Sequence, residues 1–120
     1  MLDGTWEVQG ARLGDQSIEI PGGKMIVTGD RYVVQTPAGL DEGHFEVDST
    51  VDPVAVDLVG TAGPHAGRRI RAAARLKGDL LQLAYDVGGS SRRPTDFVAR
   101  GGSSVVAVRY KRVTSGPIDV

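Results

Sequence analysis

The chain has 120 residues, enough for one domain and too few for two. Its 14 basic and 15 acidic residues give a formal net charge of −1, and its basic residues form doublets such as Arg92–Arg93 and Lys111–Arg112 but no run of five or more. That balance excludes the electrostatic footprint of a nucleic-acid or anionic-membrane binder. The absence of cysteine excludes disulfides, thiolate catalysis and cysteine-ligated zinc or iron–sulfur sites.

Seventeen glycines and six prolines punctuate short runs rich in Val, Ile, Thr and Tyr, the pattern of many short strands joined by turns. No window shows a 3.6-residue period; even between Arg69 and Leu76, apolar residues alternate with arginine, as in a strand. In chain order the strand candidates are Gly4–Leu13, Lys24–Thr28, Arg31–Thr36, Glu42–Val47, Val54–Val59, Arg68–Lys77, Leu80–Asp86 and Val105–Val113.

Two turns fix registers. If Gly29-Asp30 is a two-residue hairpin loop, Thr28 faces Arg31, Val27 faces Tyr32 and Met25 faces Val34. If Gly78-Asp79 is another, Lys77 faces Leu80, Leu76 faces Leu81, Ala74 faces Leu83 and Ala72 faces Tyr85. Both registers gather the large apolar residues on one face. The inward set then runs from Trp6 and Val8 through Met25, Val27, Tyr32, Val34, Phe45, Val47, Val56, Leu58, Ile70, Ala72, Ala74 and Leu76. It continues with Leu81, Leu83, Tyr85, Val106, Val108 and Tyr110. The opposite face carries Glu7, Arg31, His44, Glu46, Asp57, Arg69, Arg71, Arg75 and Arg109.

A sheet with one oily face must close or pair, because open edges invite aggregation. The expectation is an all-β fold, a single antiparallel up-and-down barrel of about eight strands over residues 1–113, with a C-terminal tail at 114–120. A sandwich is the alternative.

The segment Leu2-Asp3-Gly4-Thr5-Trp6-Glu7-Val8 resembles the opening of lipocalin-like domains, where a Gly-x-Trp begins the first strand. Further stretches are Gly29 to Val34, Glu42 to Asp48, Gly63-Pro64-His65-Ala66-Gly67, Leu81 to Tyr85, Arg93-Pro94-Thr95-Asp96-Phe97, and Val108 to Arg112. Together they resemble a bacterial lipocalin-like family expanded in planctomycetes, a domain of unknown function. The resemblance implies the barrel and carries no catalytic motif. It also implies that Trp6 plugs one barrel end, with a basic residue of the last strand packed across it. Arg112 has the inward parity for that stack, which contributes about 0.5–2 kcal/mol.

Candidate chemistry is sparse. His44 falls on the outward face, and His65 lies in the Gly-Pro loop Thr61–Gly67 at one rim, where it is a base, a haem ligand or an ordinary loop residue. No carboxylate stands near either histidine at ligand spacing, so no metal site is expected. Tyr32, Tyr85 and Tyr110 share the interior, either as core or as polar groups orienting a ligand. Ala72 and Ala74 oppose larger residues and hint at a cavity. Arg93 follows the Gly88-Gly89-Ser90-Ser91 stretch and either binds a carboxylate or phosphate at the mouth, or pairs with Asp96 or caps the loop with Phe97 covering one barrel end. Ser90, Ser91, Ser103 and Ser104 lie in Gly-Ser loops without a nucleophile elbow.

The first functional expectation is a barrel that binds a hydrophobic or amphipathic small molecule, with no cofactor. The second is a cofactor-free isomerase, cyclase or hydrolase using tyrosine, Arg93 or His65. The third is a ligand-free interaction barrel, its outer Arg69-Arg71-Arg75 row meeting an acidic partner or a second copy. The stretch from Met1 to Trp6 lacks a basic and apolar leader, and no run reaches the roughly 20 apolar residues of a membrane helix. Those two features give the expectation of a soluble, cytoplasmic protein with no membrane partner.

Overall fold

The structure is a computed structural model that describes residues 3–37, 39–88 and 92–113. The tail at 114–120 and Ser90 and Ser91 lie outside the described residues. Nine strands follow one another: β1 (Gly4–Leu13), β2 (Gln16–Ile18), β3 (Lys24–Thr28), β4 (Arg31–Thr36), β5 (Gly39–Asp48), β6 (Val54–Ala62), β7 (Arg69–Lys77), β8 (Leu80–Asp86) and β9 (Val105–Arg112). Each pairs antiparallel with its neighbour from β3 to β9, and β1 pairs with β9 from Trp6↔Arg112 to Leu13↔Val106. The expected all-β barrel is therefore present, closed by eight strands, with β2 as an extra one.

The two hairpins have the registers that their turns dictate, Val27↔Tyr32 and Met25↔Val34 in one, Ala74↔Leu83 and Ala72↔Tyr85 in the other. Gly29 and Gly78 have φ near +60° (62° and 61°), while among the described residues no non-glycine residue has positive φ. That is the requirement of a turn with glycine at its first loop position.

Three differences from the sequence reading have local causes. Strand β2 was not expected; it exists because Gly14-Asp15 closes a third two-residue hairpin, pairing Leu13 with Gln16, with Gly14 at φ of +57°. The first half of β1, Gly4–Glu7, pairs with β3, and the second, Ala11–Leu13, pairs with β2. Strands β5 and β6 are longer than expected, starting at Gly39 and ending at Ala62. Val47 and Leu76 have inward parity but are 43% and 41% exposed, because both sit at strand ends beyond the packed core.

Ala55, Ala73 and Ala84 form a cross-strand row of outward parity that is nonetheless buried. The segment 92–100 covers it. Arg93 donates to Asp57 Oδ1 (2.7 Å) and to the carbonyls of Ala72 (2.8 Å) and Val56 (3.3 Å). Phe97 lies under the Arg75 guanidinium, 4.7 Å from ring centre to carbon. Phe97 thus packs on the outer wall instead of covering a barrel end. Asp96 pairs with Arg100, at 3.0 Å, instead of Arg93. Small residues on the wall are what let an irregular segment lie this close.

Candidate functional site

The meander places the start of β1 and the β3–β4, β5–β6 and β7–β8 turns at one end of the barrel. The β4–β5, β6–β7 and β8–β9 connections lie at the other. The first end is sealed. Trp6 is fully buried, and Arg112, its partner in the β1–β9 register, lays its guanidinium 4.3 Å from the indole ring centre. Arg112 also donates to the Asp3 carbonyl, and Asp3 Oδ1 accepts from the Gly29 amide at 2.6 Å. The chain start is thereby tied across the seal.

Above that seal lies an interior cavity of about 300 Å³. Its walls are largely apolar, with Val8, Ile18, Val34, Leu58, Leu83 and Val108 among them. Tyr32, Tyr85 and Tyr110 also line it, and Thr36, Asp41, Pro64 and His65 meet it near the second end. Among the described residues none of the three tyrosine hydroxyls has a hydrogen-bond partner. Burial, then the charge of Asp41 and the neighbouring Tyr85, pushes the Tyr32 hydroxyl up to about 12. Burial and Asp41 raise Tyr85, and burial with Tyr85 raises Tyr110. All three remain protonated at neutral pH, able to donate.

The polar centre of the site is a pair that the sequence did not reveal. His65 Nδ1 is 2.6 Å from Asp41 Oδ2. The two residues are 24 positions apart, which is why spacing showed no carboxylate near His65. A signal existed: on β5 the inward parity of Phe45 continues through Gly43 to Asp41, opposite Val34 of β4. Starting the strand at Glu42 hid it.

Glycines bring the pair together. The β6–β7 loop folds back on β6, with the Gly67 amide donating to the Gly60 carbonyl (3.0 Å) and the Gly60 amide to that of Arg68 (2.9 Å). A side chain at Gly60 would collide with the His65 carbonyl, and one at Gly63 with the backbone at Leu40 and Asp41. Gly63 also has φ of +92°. On β5, Gly43 leaves room for the Tyr32 ring, which stacks on Phe45 with centroids 4.9 Å apart.

Asp41 Oδ2 is spent on His65, and Asp41 Oδ1 is buried without any hydrogen-bond partner. A carboxylate with a single hydrogen-bond partner directs its charge at that partner. With Nδ1–H held by Asp41, a neutral imidazole keeps Nε2 as the acceptor.

The remaining sequence candidates lie elsewhere. Ala72 and Ala74 are buried in the wall and neither borders the cavity. Arg93 is committed to Asp57 and two carbonyls outside the barrel. His44 sits 3.6 Å from Glu46, away from the cavity. Ser104 donates to Asp86 at 2.5 Å, and Ser103 belongs to the same β8–β9 connection. Among the described residues, no group of three or more His, Cys, Asp and Glu is placed to hold a metal ion.

Fold and site together define a closed antiparallel barrel with an apolar cavity and an acid–histidine pair at one end of it. Comparison with protein-family models, with curated proteins and with solved structures gave no match to this chain. Among the described residues, no helix is long and apolar enough to cross a membrane.

Proposed function

We propose that the chain binds a hydrophobic or amphipathic small molecule inside its barrel, in the manner of lipocalin-like domains. The observation that carries this reading is the cavity itself: about 300 Å³, apolar along its walls, with a few polar groups among them and the Asp41–His65 pair at one end. That volume holds about ten water-sized groups, so the ligand is compact, of the order of one or two fused rings. Ligand sites of this kind favour the mouths of barrels, where a few polar groups fix orientation. The Trp6–Arg112 stack at the opposite end supports the lipocalin-like character.

Nuclear magnetic resonance titration with 2-naphthol, indole and 1-octanol tests the reading. At least one is expected to shift signals of the lining residues. Val108→Phe, which fills the cavity from β9, is expected to weaken that binding at least tenfold with the fold intact. If none binds, and Val108→Phe is destabilised by the roughly 1–3 kcal/mol of an overpacked core, the interior is solid and the reading is wrong.

A further inference from the structure

We propose that His65, positioned by Asp41, is a general base that moves a proton between carbon atoms of a small enolisable ketone held in the cavity. This rests on the binding reading above and adds a reaction to it.

Three observations point the same way. The imidazole borders an apolar cavity, and its Nδ1 is tied to a carboxylate at 2.6 Å. That carboxylate has no other partner, so its charge is set to stabilise a proton arriving on the ring. Unpartnered tyrosine hydroxyls line the same cavity, and Tyr32 and Tyr85 are close enough to Asp41 to feel its charge. A base and protonated hydroxyls around an apolar space are the components of enolate chemistry, in which the donors are aimed at an oxygen that gains charge. Among the described residues, the lining contains no serine and Thr36 supplies its only aliphatic hydroxyl, the group that covalent acyl transfer would need.

The step balances without a co-reactant. Nε2 of His65 takes the proton from the carbon between the carbonyl and the double bond of a β,γ-unsaturated ketone. The C–H electron pair becomes the new C=C bond of a dienolate, and the carbonyl π pair moves onto oxygen, which accepts hydrogen bonds from tyrosine hydroxyls. The imidazolium then returns the proton to the γ carbon, and the conjugated ketone leaves. Asp41 acts through His65 and is a positioning residue.

The probe is cyclohex-3-enone, whose conversion to the conjugated enone is read by ultraviolet absorbance, with 2-tetralone followed by α-proton exchange in deuterated water. Binding of each ketone is measured in the same samples by saturation-transfer resonance. The native chain is expected to exceed His65→Gln by about a hundredfold, the lower end of what a positioned base contributes. Asp41→Asn is expected to lower kcat by about tenfold while KM changes less than about twofold, a split that a merely structural staple would not produce. Tyr32→Phe keeps the stack on Phe45, folds even if the His65 variant does not, and is expected to slow turnover.

A ketone that binds but reacts no faster than in buffer overturns the proposal and leaves the binding reading standing. Refusal of both ketones also overturns it, while binding of 2-naphthol, indole or octanol would preserve the earlier reading.

Discussion

The two ends of the barrel solve opposite problems. At the sealed end a fully buried Trp6 lies under Arg112, and the charged groups beside it are partnered: Asp3 with Gly29, Arg112 with Asp3 and Asp79. At the other end Asp41 Oδ1 is buried with no hydrogen-bond partner, beside an imidazole that borders the cavity. Fully satisfied polar groups rigidify a structure, and under-satisfied ones cost stability. The sealed end thus carries stability, and the proposed chemistry belongs to the His65 end.

The sharpest way to break this division is Trp6→Ala. It removes the largest buried side chain of the core and its cation stack, so a loss of about 3–5 kcal/mol is expected by urea denaturation. Ligand binding by whatever remains folded should persist. Loss of ligand affinity beyond the unfolded fraction would mean that the two ends are not separable.

Arg93 belongs to neither end and tests the wall between them. Arg93→Ala leaves Asp57 with Arg69 alone and removes the hydrogen bonds to two carbonyls, and about 2 kcal/mol of stability should go. Desolvation pushes the Asp57 carboxyl up, but the hydrogen bonds and charges of Arg93 and Arg69 outweigh it and hold the group below its usual value. A depressed folded-state pKa stabilises above the unfolded value, and that stability is lost as pH falls through the folded one. The gap between native chain and variant should therefore be full above about pH 4–5 and narrow below it. A gap independent of pH would remove Asp57 from the account.

His65→Ala sharpens the comparison from the other side. It leaves Asp41 without a partner on either oxygen, yet the pair is partly exposed, so a stability loss of about 1 kcal/mol is expected. The double variant with Asp41→Ala should regain part of it. A loss as large as that of Trp6→Ala would make the dyad a structural staple.

How much of this was legible depended on whether the signal was local. The hairpins at Gly29 and Gly78 fix their own registers, and parity then carries the inward face as far as Trp6 and Arg112. Residues such as Tyr32 and Tyr85 were placed that way. The Asp41–His65 pair was not legible, because it joins a strand to a loop 24 residues on and depends on glycines at 60 and 63 allowing backbones to touch. Nor was the packing of 92–100 on the outer wall, where three outward alanines look like ordinary surface until something covers them.

The smallest effect expected is at the seal, and it separates two accounts of Arg112. Arg112→Lys keeps a cation over Trp6 but loses the planar guanidinium that lies on the ring while donating to the Asp3 carbonyl. If the stack matters chiefly as charge over a π face, lysine retains most of it, and the loss should be about 0.5 kcal/mol. If the planar contact and the tie to the chain start matter more, the loss should approach that of Arg112→Ala, about 1–2 kcal/mol. The lower value is expected, because Trp6 stays sealed by Met25 on β3 in either variant. Comparing urea midpoints of the two variants decides it, and neither should alter ligand affinity at the far end of the barrel.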